Sequence, residues 1–291
     1  GIDPNVFIDR NGQAYLYWAE GNIYVAKLKE NMLELASDPM VIPNLPEKGL
    51  KEGPFLFERN GMYYLTYPHV ANKTERLEYA IADNPMGPFQ VKGVIMDESP
   101  TGCWTNHQSI VQFLHQWYLF YHHNDLSPQF DKNRSIRADS LFFEPDGTIR
   151  KVIPSLRGVG LTQASDQIQV DRYTRTSETG VHVAFLDSAN HFAGWKAVMT
   201  GPDAWIQYNS VDFGKRDWRN IQLRVQAPQG GKIQVRTDKP DGPVIATCVI
   251  SKDSGWITYL LQQPKTPQGI HHLFIIQQTD HPVAVDWIHF D

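Results

Sequence analysis

The chain has 291 residues and a formal net charge of −5, from 27 basic and 32 acidic side chains. No run of lysine or arginine suggests a nucleic acid or an anionic membrane as partner, and no apolar run is long enough to span a bilayer. The length leaves room for two domains. The many aromatic residues suit either a β-rich core or stacking against sugar rings.

Three strand pairs of similar sequence follow one another in the first half of the chain. The clearest runs from Phe55 to Tyr67 around an Asn60-Gly61 turn. The other two cross predicted turns at Asn11-Gly12 and His115-Gln116. A short apolar strand, a tight turn and an aromatic or β-branched strand are typical of a β-hairpin. A hairpin repeated at this spacing predicts a β-propeller, in which each blade is a small antiparallel sheet.

Each hairpin is preceded by a polar residue at the same distance from its turn. Asp3, Glu52 and Asn106 all lie nine residues before the turn, and His107 follows Asn106. Because the inner strands of successive blades start near a common axis, we expect these side chains to meet in one funnel. Taken singly, Asp3 could cap a turn and Glu52 could be a solvated loop charge. Their shared repeat position favours a site made of two carboxylates and an imidazole.

Further strand candidates complete an all-β chain in two predicted domains. In the first half they are 22–28, 77–82, 89–96 and 135–143. The pattern then lapses in a glycine-containing linker, and short alternating strands from Gln167 onwards predict a β-sandwich of the jelly-roll type. We place the boundary between residues 1–157 and 158–291. Cys103 and Cys248 fall in different domains, so no disulfide is expected.

The first half resembles glycoside hydrolase family 43, five-bladed propellers that cut xylan and arabinan side chains. The residues that carry this resemblance are Ile2-Asp3-Pro4, Glu52-Gly53-Pro54, Asn106-His107-Gln108-Ser109 and Arg137-Ala138-Asp139. The second half resembles the carbohydrate-binding modules of family 6. The matching residues there are Trp205-Ile206-Gln207-Tyr208, Gly255-Trp256 and Asp286-Trp287-Ile288. The resemblance implies a β-xylosidase or an α-L-arabinofuranosidase acting on plant-type saccharides, and the sequence does not choose between the two.

The resemblance also implies roles for individual residues of the first domain. Glu52 would be the general acid that protonates the leaving oxygen, and Asp3 would be the carboxylate that raises the pKa of Glu52. His107, Arg137 and Trp104 would contact the substrate. For His107, a purely structural, hydrogen-bonded histidine is the alternative. No cofactor is expected for catalysis.

Family members invert configuration and therefore need a third group, a general-base Asp that activates water. The resemblance places this Asp upstream of Asp3, and it is missing from this chain. The repeats also amount to about three blades, whereas a closed propeller needs at least about four. We therefore expect an upstream segment or a second chain to complete the propeller, and little activity from this chain alone. The alternative is a carbohydrate-binding protein that cleaves nothing.

In the second domain the resemblance implies sugar binding and a structural calcium ion. Trp256 matches one of the two rings that grip sugar in such modules, whereas Met199 and Ala284 stand in place of other sugar-binding residues. The calcium ligands that the resemblance implies are Gln169, Asp171 and Asp286. Oxygen ligands of this kind suit calcium. Secretion, or export to a bacterial periplasm, is implied in the same way.

Overall fold

The computed structural model describes residues 1–124, 130–262 and 264–291. The chain forms two units, Gly1–Pro154 and Ser155–Asp291. Both units are built from β-strands, so the predicted all-β class is confirmed. Within the described ranges, no helix has the length and hydrophobicity that a membrane crossing needs.

The first unit contains three antiparallel sheets, and each predicted hairpin supplies the first two strands of one sheet. The first sheet consists of β1 (Ile2–Ile8), β2 (Ala14–Glu20), β3 (Asn22–Lys27) and β4 (Met40–Val41). The second consists of β5 (Phe55–Arg59), β6 (Met62–Val70), β7 (Glu75–Ala82) and β8 (Gln90–Met96). The third consists of β9 (Gln108–Phe113), β10 (Gln116–His123) and β11 (Ser135–Leu141). In every sheet, strands adjacent in sequence are also adjacent in space.

Two of the three hairpins turn through a pair of residues with positive φ. Asn60 (φ 54°) and Gly61 (φ 81°) form the two-residue turn whose twist matches that of the strands. In the third hairpin the same conformation is taken by Leu114 (φ 47°) and His115 (φ 67°). The predicted turn at His115-Gln116 is therefore wrong by one residue, because Gln116 already opens β10.

The first strands of the three sheets lie side by side, β1 next to β5 and β5 next to β9. The side chain of Asn5 accepts a hydrogen bond from the main-chain amide of Leu56 at 3.0 Å. The side-chain amide of Gln108 donates to the carbonyl of Gly53 at 2.9 Å and to the hydroxyl of Thr66 at 3.1 Å. These polar side chains tie the three sheets together along their first strands.

Hydrophobic side chains fill the spaces between neighbouring sheets. One cluster joins Tyr17 of the first sheet with Leu65 of the second. Another joins Leu77 of the second sheet with Leu119 of the third. All four side chains are fully buried. Because burial of this kind is the main stabilising term in folding, the sheets hold their relative positions and so position what lies at their edges.

The second unit places two six-stranded sheets around one hydrophobic core. One sheet contains β12 (Thr162–Gln163), β14 (Arg175–Thr176), β17 (Trp205–Asp212), β19 (Gly231–Thr237), β20 (Val244–Ile250) and β22 (Ile270–Gln277). The other contains β13 (Ile168–Gln169), β15 (Val181–Phe185), β16 (Trp195–Met199), β18 (Asn220–Ala227), β21 (Asp253–Gln262) and β23 (Val283–Phe290). A 3₁₀ turn spans His191–Ala193. The two cysteines, both in described parts of the chain, form no disulfide.

Candidate active site

The side chains of Asp3, Glu52 and His107 converge where the first strands of the three sheets begin. One oxygen of each carboxylate and one imidazole nitrogen all lie within 4.8 Å of one another. His107 Nε2 is 3.9 Å from Asp3 Oδ2 and 3.7 Å from Glu52 Oε1. All three side chains are partly exposed, so a ligand can reach them from solvent. Asn106, at the third repeat position, is instead fully buried, and its neighbour His107 supplies the third group.

Asp3 is held in an unusual backbone conformation. Its φ is 54°, and the pairing of β1 with β2 is irregular between Ile2 and Asn5. A bulge of this kind leaves a residue out of the ladder and re-aims its side chain. The left-handed conformation costs a non-glycine residue about 1 kcal/mol or more, and such strain concentrates at functional sites. The strained backbone sets the direction of the Asp3 carboxylate, and this supports a functional role for that side chain.

Gly53 allows the ring of His107 to pack against the backbone beside Glu52. Its φ is +50°, and a Cβ atom there would lie 2.9 Å from two atoms of the His107 ring. The carbonyl of Gly53 is held by the side chain of Gln108, the residue after His107. The spacing between Glu52 and His107 is therefore fixed by a close approach that only glycine permits.

The surroundings of Glu52 lower its pKa, whereas the sequence analysis expected a raised pKa. The effect of Asp3 on this pKa stays a prediction. The largest cause is the polar interaction with His107, which favours the carboxylate. Burial acts in the opposite direction, and the neighbouring Glu75 lowers the pKa of Glu52 further. The interactions with His107 and Glu75 therefore decide the direction of the shift at Glu52.

Glu75 is a carboxyl group of this site that the sequence analysis missed. It is the first residue of β7, it is only 1% exposed, and it lies beside Glu52. Burial, with the adjacent Glu52 as the next cause, raises the pKa of Glu75 to about 9. In the sequence it stands among Lys73, Thr74 and Arg76, a polar run typical of a solvated turn, so no sequence signal pointed to it.

A second histidine lies next to His107. The ring centroids of His107 and His122 are 6.3 Å apart, and Nε2 of His122 is 3.2 Å from the hydroxyl of Thr105. Burial, with the nearby His107 as the next cause, lowers the pKa of His122 to about 4. His122 is therefore neutral at neutral pH, and it adds no positive charge beside the carboxylates.

The other two residues predicted to contact substrate lie on the third sheet and in the loop that precedes it. Trp104 is half-buried between β8 and β9, and its main-chain amide donates to the carbonyl of Asp131 at 2.8 Å. Arg137 is buried in the middle of β11, opposite Tyr121. Their contact with substrate stays a prediction.

In the second unit Trp256 is a half-buried ring with two cations over it. The guanidinium of Arg224 lies 5.0 Å from the ring centroid and the ammonium of Lys196 lies 5.8 Å from it. Met199 and Ala284, which replace sugar-binding residues of the resembled family, are both buried. Of these three positions, only Trp256 has an aromatic ring, and that ring is partly accessible from solvent.

The residues predicted to bind calcium meet where β13 pairs with β23. Asp171 and Asp286 are buried, and burial is the largest cause that raises the pKa of each. Asp286 is already paired with the guanidinium of Arg224, whereas Asp171 faces Arg172 at 3.2 Å. Carboxylate oxygens are the donors that calcium prefers, and a bound cation would offset the effect of burial that raises these two pKa values. These carboxylates can bind calcium once the ion pair between Arg224 and Asp286 breaks.

Two family models match the chain. The model of glycosyl hydrolases family 43 matches residues 1–149, and the model of the carbohydrate binding module of family 6 matches residues 164–291. The two matches follow one another in the order that the sequence resemblance predicted.

Similar proteins of known activity include an arabinoxylan arabinofuranohydrolase of Paenibacillus polymyxa, 24% identical over 94% of this chain and 48% of its own length. A xylosidase/arabinosidase of Bacteroides ovatus is 32% identical over 51% of this chain and 56% of its own. The chain thus spans about half the length of the curated relatives it matches. Among solved structures, an arabinoxylan arabinofuranohydrolase of Bacillus subtilis in complex with cellotetraose has a TM-score of 0.53 at 23% identity. That alignment covers 99% of this chain and 66% of the other, and it shows a shared fold.

Proposed function

The chain belongs to the glycosyl hydrolases of family 43, and from that membership we propose that it hydrolyses glycosidic bonds of xylan- or arabinan-type saccharides, with Glu52 as the proton donor. The observation that carries this proposal is the convergence of Asp3, Glu52 and His107 at the start of three first strands. The names of the relatives, an arabinoxylan arabinofuranohydrolase and a xylosidase/arabinosidase, support the substrate class.

In the proposed reaction Glu52 gives a proton to the oxygen of the leaving sugar as the glycosidic bond breaks. General acid catalysis of this kind contributes about 10²–10⁴-fold to the rate. His107 and Glu75 act on the charge of Glu52, and Asp3 lies in the same cluster. Water completes the hydrolysis by attacking the anomeric carbon, and a base other than Asp3, Glu52 and His107 takes up its proton.

The close approach of the two carboxylates argues against Asp3 as that base. In inverting enzymes the acid and the base stand about 6.5–9.5 Å apart, with room for a water. Asp3 and Glu52 each place an oxygen within the 4.8 Å cluster, which leaves no such room. Proton NMR of the first-formed sugar tests this step. Inversion of the anomer is the expected result, whereas retention would reassign Asp3 as a nucleophile.

The architecture we propose is that of a partial propeller followed by a jelly-roll sandwich. The three sheets of the first unit would be three blades whose first strands, β1, β5 and β9, face the axis. A closed ring needs about four blades or more. The proposal therefore includes further blades, and the general base, supplied by another segment or another chain.

Release of nitrophenol from aryl β-xyloside and aryl α-L-arabinofuranoside tests the proposed function. The chain is assayed alone and as the complete product of its gene. Hydrolysis in either assay, lost when Glu52 is replaced by glutamine, is the expected result. Binding of xylo-oligosaccharide without any hydrolysis in both assays would make the protein a carbohydrate-binding protein instead.

For the second unit we propose carbohydrate binding through Trp256, stabilised by calcium at Asp171 and Asp286, in an exported protein. Export would bring the chain to polymers that lie outside the cell. Calcium that binds only the folded unit raises its melting temperature. A rise on adding calcium after chelation, absent in Asp171→Asn, is expected. Equal melting temperatures with calcium and with chelator would refute the calcium proposal.

A further inference from the structure

Glu52 and Glu75 lie on the same face of the second sheet, on either side of β6. The main-chain amide of Glu52 faces the carbonyl of Pro68 on β6, and Pro68 pairs with Leu77 on β7. Two residues further along β6, Val70 pairs with Glu75 on β7. Since residues paired across a sheet share a face, and alternate residues of a strand do so too, both glutamates point to one side.

The Glu75 carboxyl is buried in a place that offers it no cation. Neither of its oxygens receives a well-formed hydrogen bond from a donor in the described part of the chain. The groups that face it are the carboxylates of Glu52 and Asp3 and the main-chain amide of Asn106. Arg76 follows it on β7 but belongs to the opposite face, where it pairs with Glu78. An ionised, unpaired carboxylate in such a place is strongly disfavoured.

We propose that Glu75 is a positioning residue for Glu52: its carboxyl group stays protonated across the neutral range and donates a hydrogen bond to the Glu52 carboxylate. This inference rests on the role proposed above for Glu52 as the proton donor. Two carboxyl groups in contact at a buried site cannot both be ionised, so the pair binds one proton. The directions of the two pKa shifts agree with this, raised for Glu75 and lowered for Glu52.

The hydrogen bond fixes which oxygen of Glu52 faces the substrate side. The buried side of the Glu52 carboxylate is held by Glu75, whereas its Oε1 lies 3.7 Å from His107. The two carboxyl groups share one proton, which rests on Glu75 and passes to Glu52 along this hydrogen bond as Glu52 protonates the leaving oxygen. Glu52 can therefore act as the acid although its own pKa is lowered.

Carbon-13 NMR of the glutamate carboxyl carbons in the full chain, titrated with pH, tests this proposal without any assay of activity. The signals of Glu52 and Glu75 are identified by their loss in Glu52→Gln and Glu75→Gln. Glu75→Met removes the donor while keeping a similar volume, whereas Glu75→Gln retains an N–H donor. Glu78→Gln, at an equally buried position of β7 on the opposite face, is the matched control.

The Glu75 carbon is expected to keep its protonated shift through pH 7. In Glu75→Met the pKa of Glu52 should rise by about one unit, because a hydrogen bond to a charged group is lost. Glu75→Gln and Glu78→Gln should leave the pKa of Glu52 near its original value. Titration of Glu75 near pH 4, or equal shifts of Glu52 in the methionine and glutamine variants, would overturn the proposal.

If Glu75→Met does not fold, the titration of Glu75 in the unaltered chain and of Glu52 in Glu75→Gln still decide the matter. The proposed function fails separately. A chain that hydrolyses no glycoside but titrates as expected would refute the function and leave the carboxyl pair standing. An active chain in which Glu75 titrates near pH 4 would refute the carboxyl pair and leave the proposed function standing.

Discussion

The two units each contain a cluster of acidic side chains, and the clusters are neutralised in different ways. In the first unit Asp3, Glu52 and Glu75 face one another and His107, and no lysine or arginine of the described ranges pairs with them. In the second unit Asp286 pairs with Arg224, and Asp171 faces Arg172. In the first cluster the buried Glu75 has a raised pKa, whereas in the second cluster Asp286 and Asp171 face guanidinium groups.

This difference separates a group that can exchange a proton from one that holds a strand in place. Carboxylates that share protons respond to pH and to a ligand, because their charge can change at little cost. The guanidinium groups of the second cluster keep their charge, since arginine does not lose its proton in proteins, so the cations that face Asp286 and Asp171 are permanent. The first cluster therefore suits a catalytic role and the second a structural role. Four substitutions or conditions can test this difference.

The largest expected effect is the loss of activity in Glu52→Gln. Glutamine cannot donate the proton, so kcat/KM for substrates with poor leaving groups should fall by about 10²–10⁴-fold. Aryl glycosides with acidic leaving groups should lose less, because they depart without a proton. Glu58→Gln, in the same hairpin, is the control and should keep its activity. An equal loss on both substrate types would argue against Glu52 as the acid.

In the second unit the expected effect is on stability. In the presence of a chelator, so that no calcium replaces the lost cation, Arg224→Met leaves Asp286 buried and unpaired. This should lower the free energy of unfolding by about 3 kcal/mol, the lower end for broken buried pairs because Arg224 is partly exposed. Urea unfolding followed by tryptophan fluorescence measures this. The double variant Arg224→Met/Asp286→Asn removes the unpaired charge and should recover much of the loss. If Arg224→Met were as stable as the double variant, this would contradict the pairing of Arg224 with Asp286.

A pH series sharpens the comparison at Glu75. Folding raises the pKa of Glu75 from 4.5 to about 9, so between these pH values the folded chain binds a proton that the unfolded chain has released. The contribution of Glu75 to stability is therefore full at low pH and is lost as the pH rises through this window. The slope is at most about 1.4 kcal/mol per pH unit.

Urea unfolding of the unaltered chain and of Glu75→Gln across the same pH series isolates this contribution, because glutamine does not titrate. The difference between the two free energies of unfolding should change steadily from pH 5 to pH 9 in the stated direction. Parallel curves would mean that Glu75 is ionised in the folded chain.

The smallest expected effect is that of Gly53→Ala, with Gly61→Ala as its control. Both glycines have positive φ, so each substitution should cost about 1 kcal/mol of folding free energy. Only at Gly53 would the new Cβ atom lie 2.9 Å from the His107 ring, whereas at Gly61 it meets no atom within 4 Å. The NMR shifts of His107 should therefore move in Gly53→Ala alone. Equal effects of the two variants on His107 would rule out the close packing.

The sequence alone predicted the convergence of Asp3 and Glu52, because both stand at the same distance before a hairpin turn and repeats superpose in space. It also predicted short alternating strands in the second unit, and in β18 this alternation places Leu223 and Val225 in the core. These features are local or periodic, so they can be read without knowing how the strands pair.

Glu75 could not be predicted, because its contact with Glu52 depends on the register of β6 between them. A shift of one residue would turn Glu75 to the other face. The lowered pKa of Glu52 was missed for a related reason. The sequence contains His107, but only the folded site shows that it lies close enough to Glu52 to lower the pKa of that carboxyl.

The tethers between the first strands have a consequence for the order in which the chain folds. Each hairpin closes through a short turn and can form within microseconds. The bonds from Asn5 to Leu56 and from Gln108 to Gly53 span 51 and 55 residues of sequence. Closing such long loops costs entropy that is recovered only when the sheets dock. Hairpins that have formed but not docked lack the acid cluster, because Asp3, Glu52 and His107 lie at the first strands of three different sheets, so the site forms only when the sheets dock.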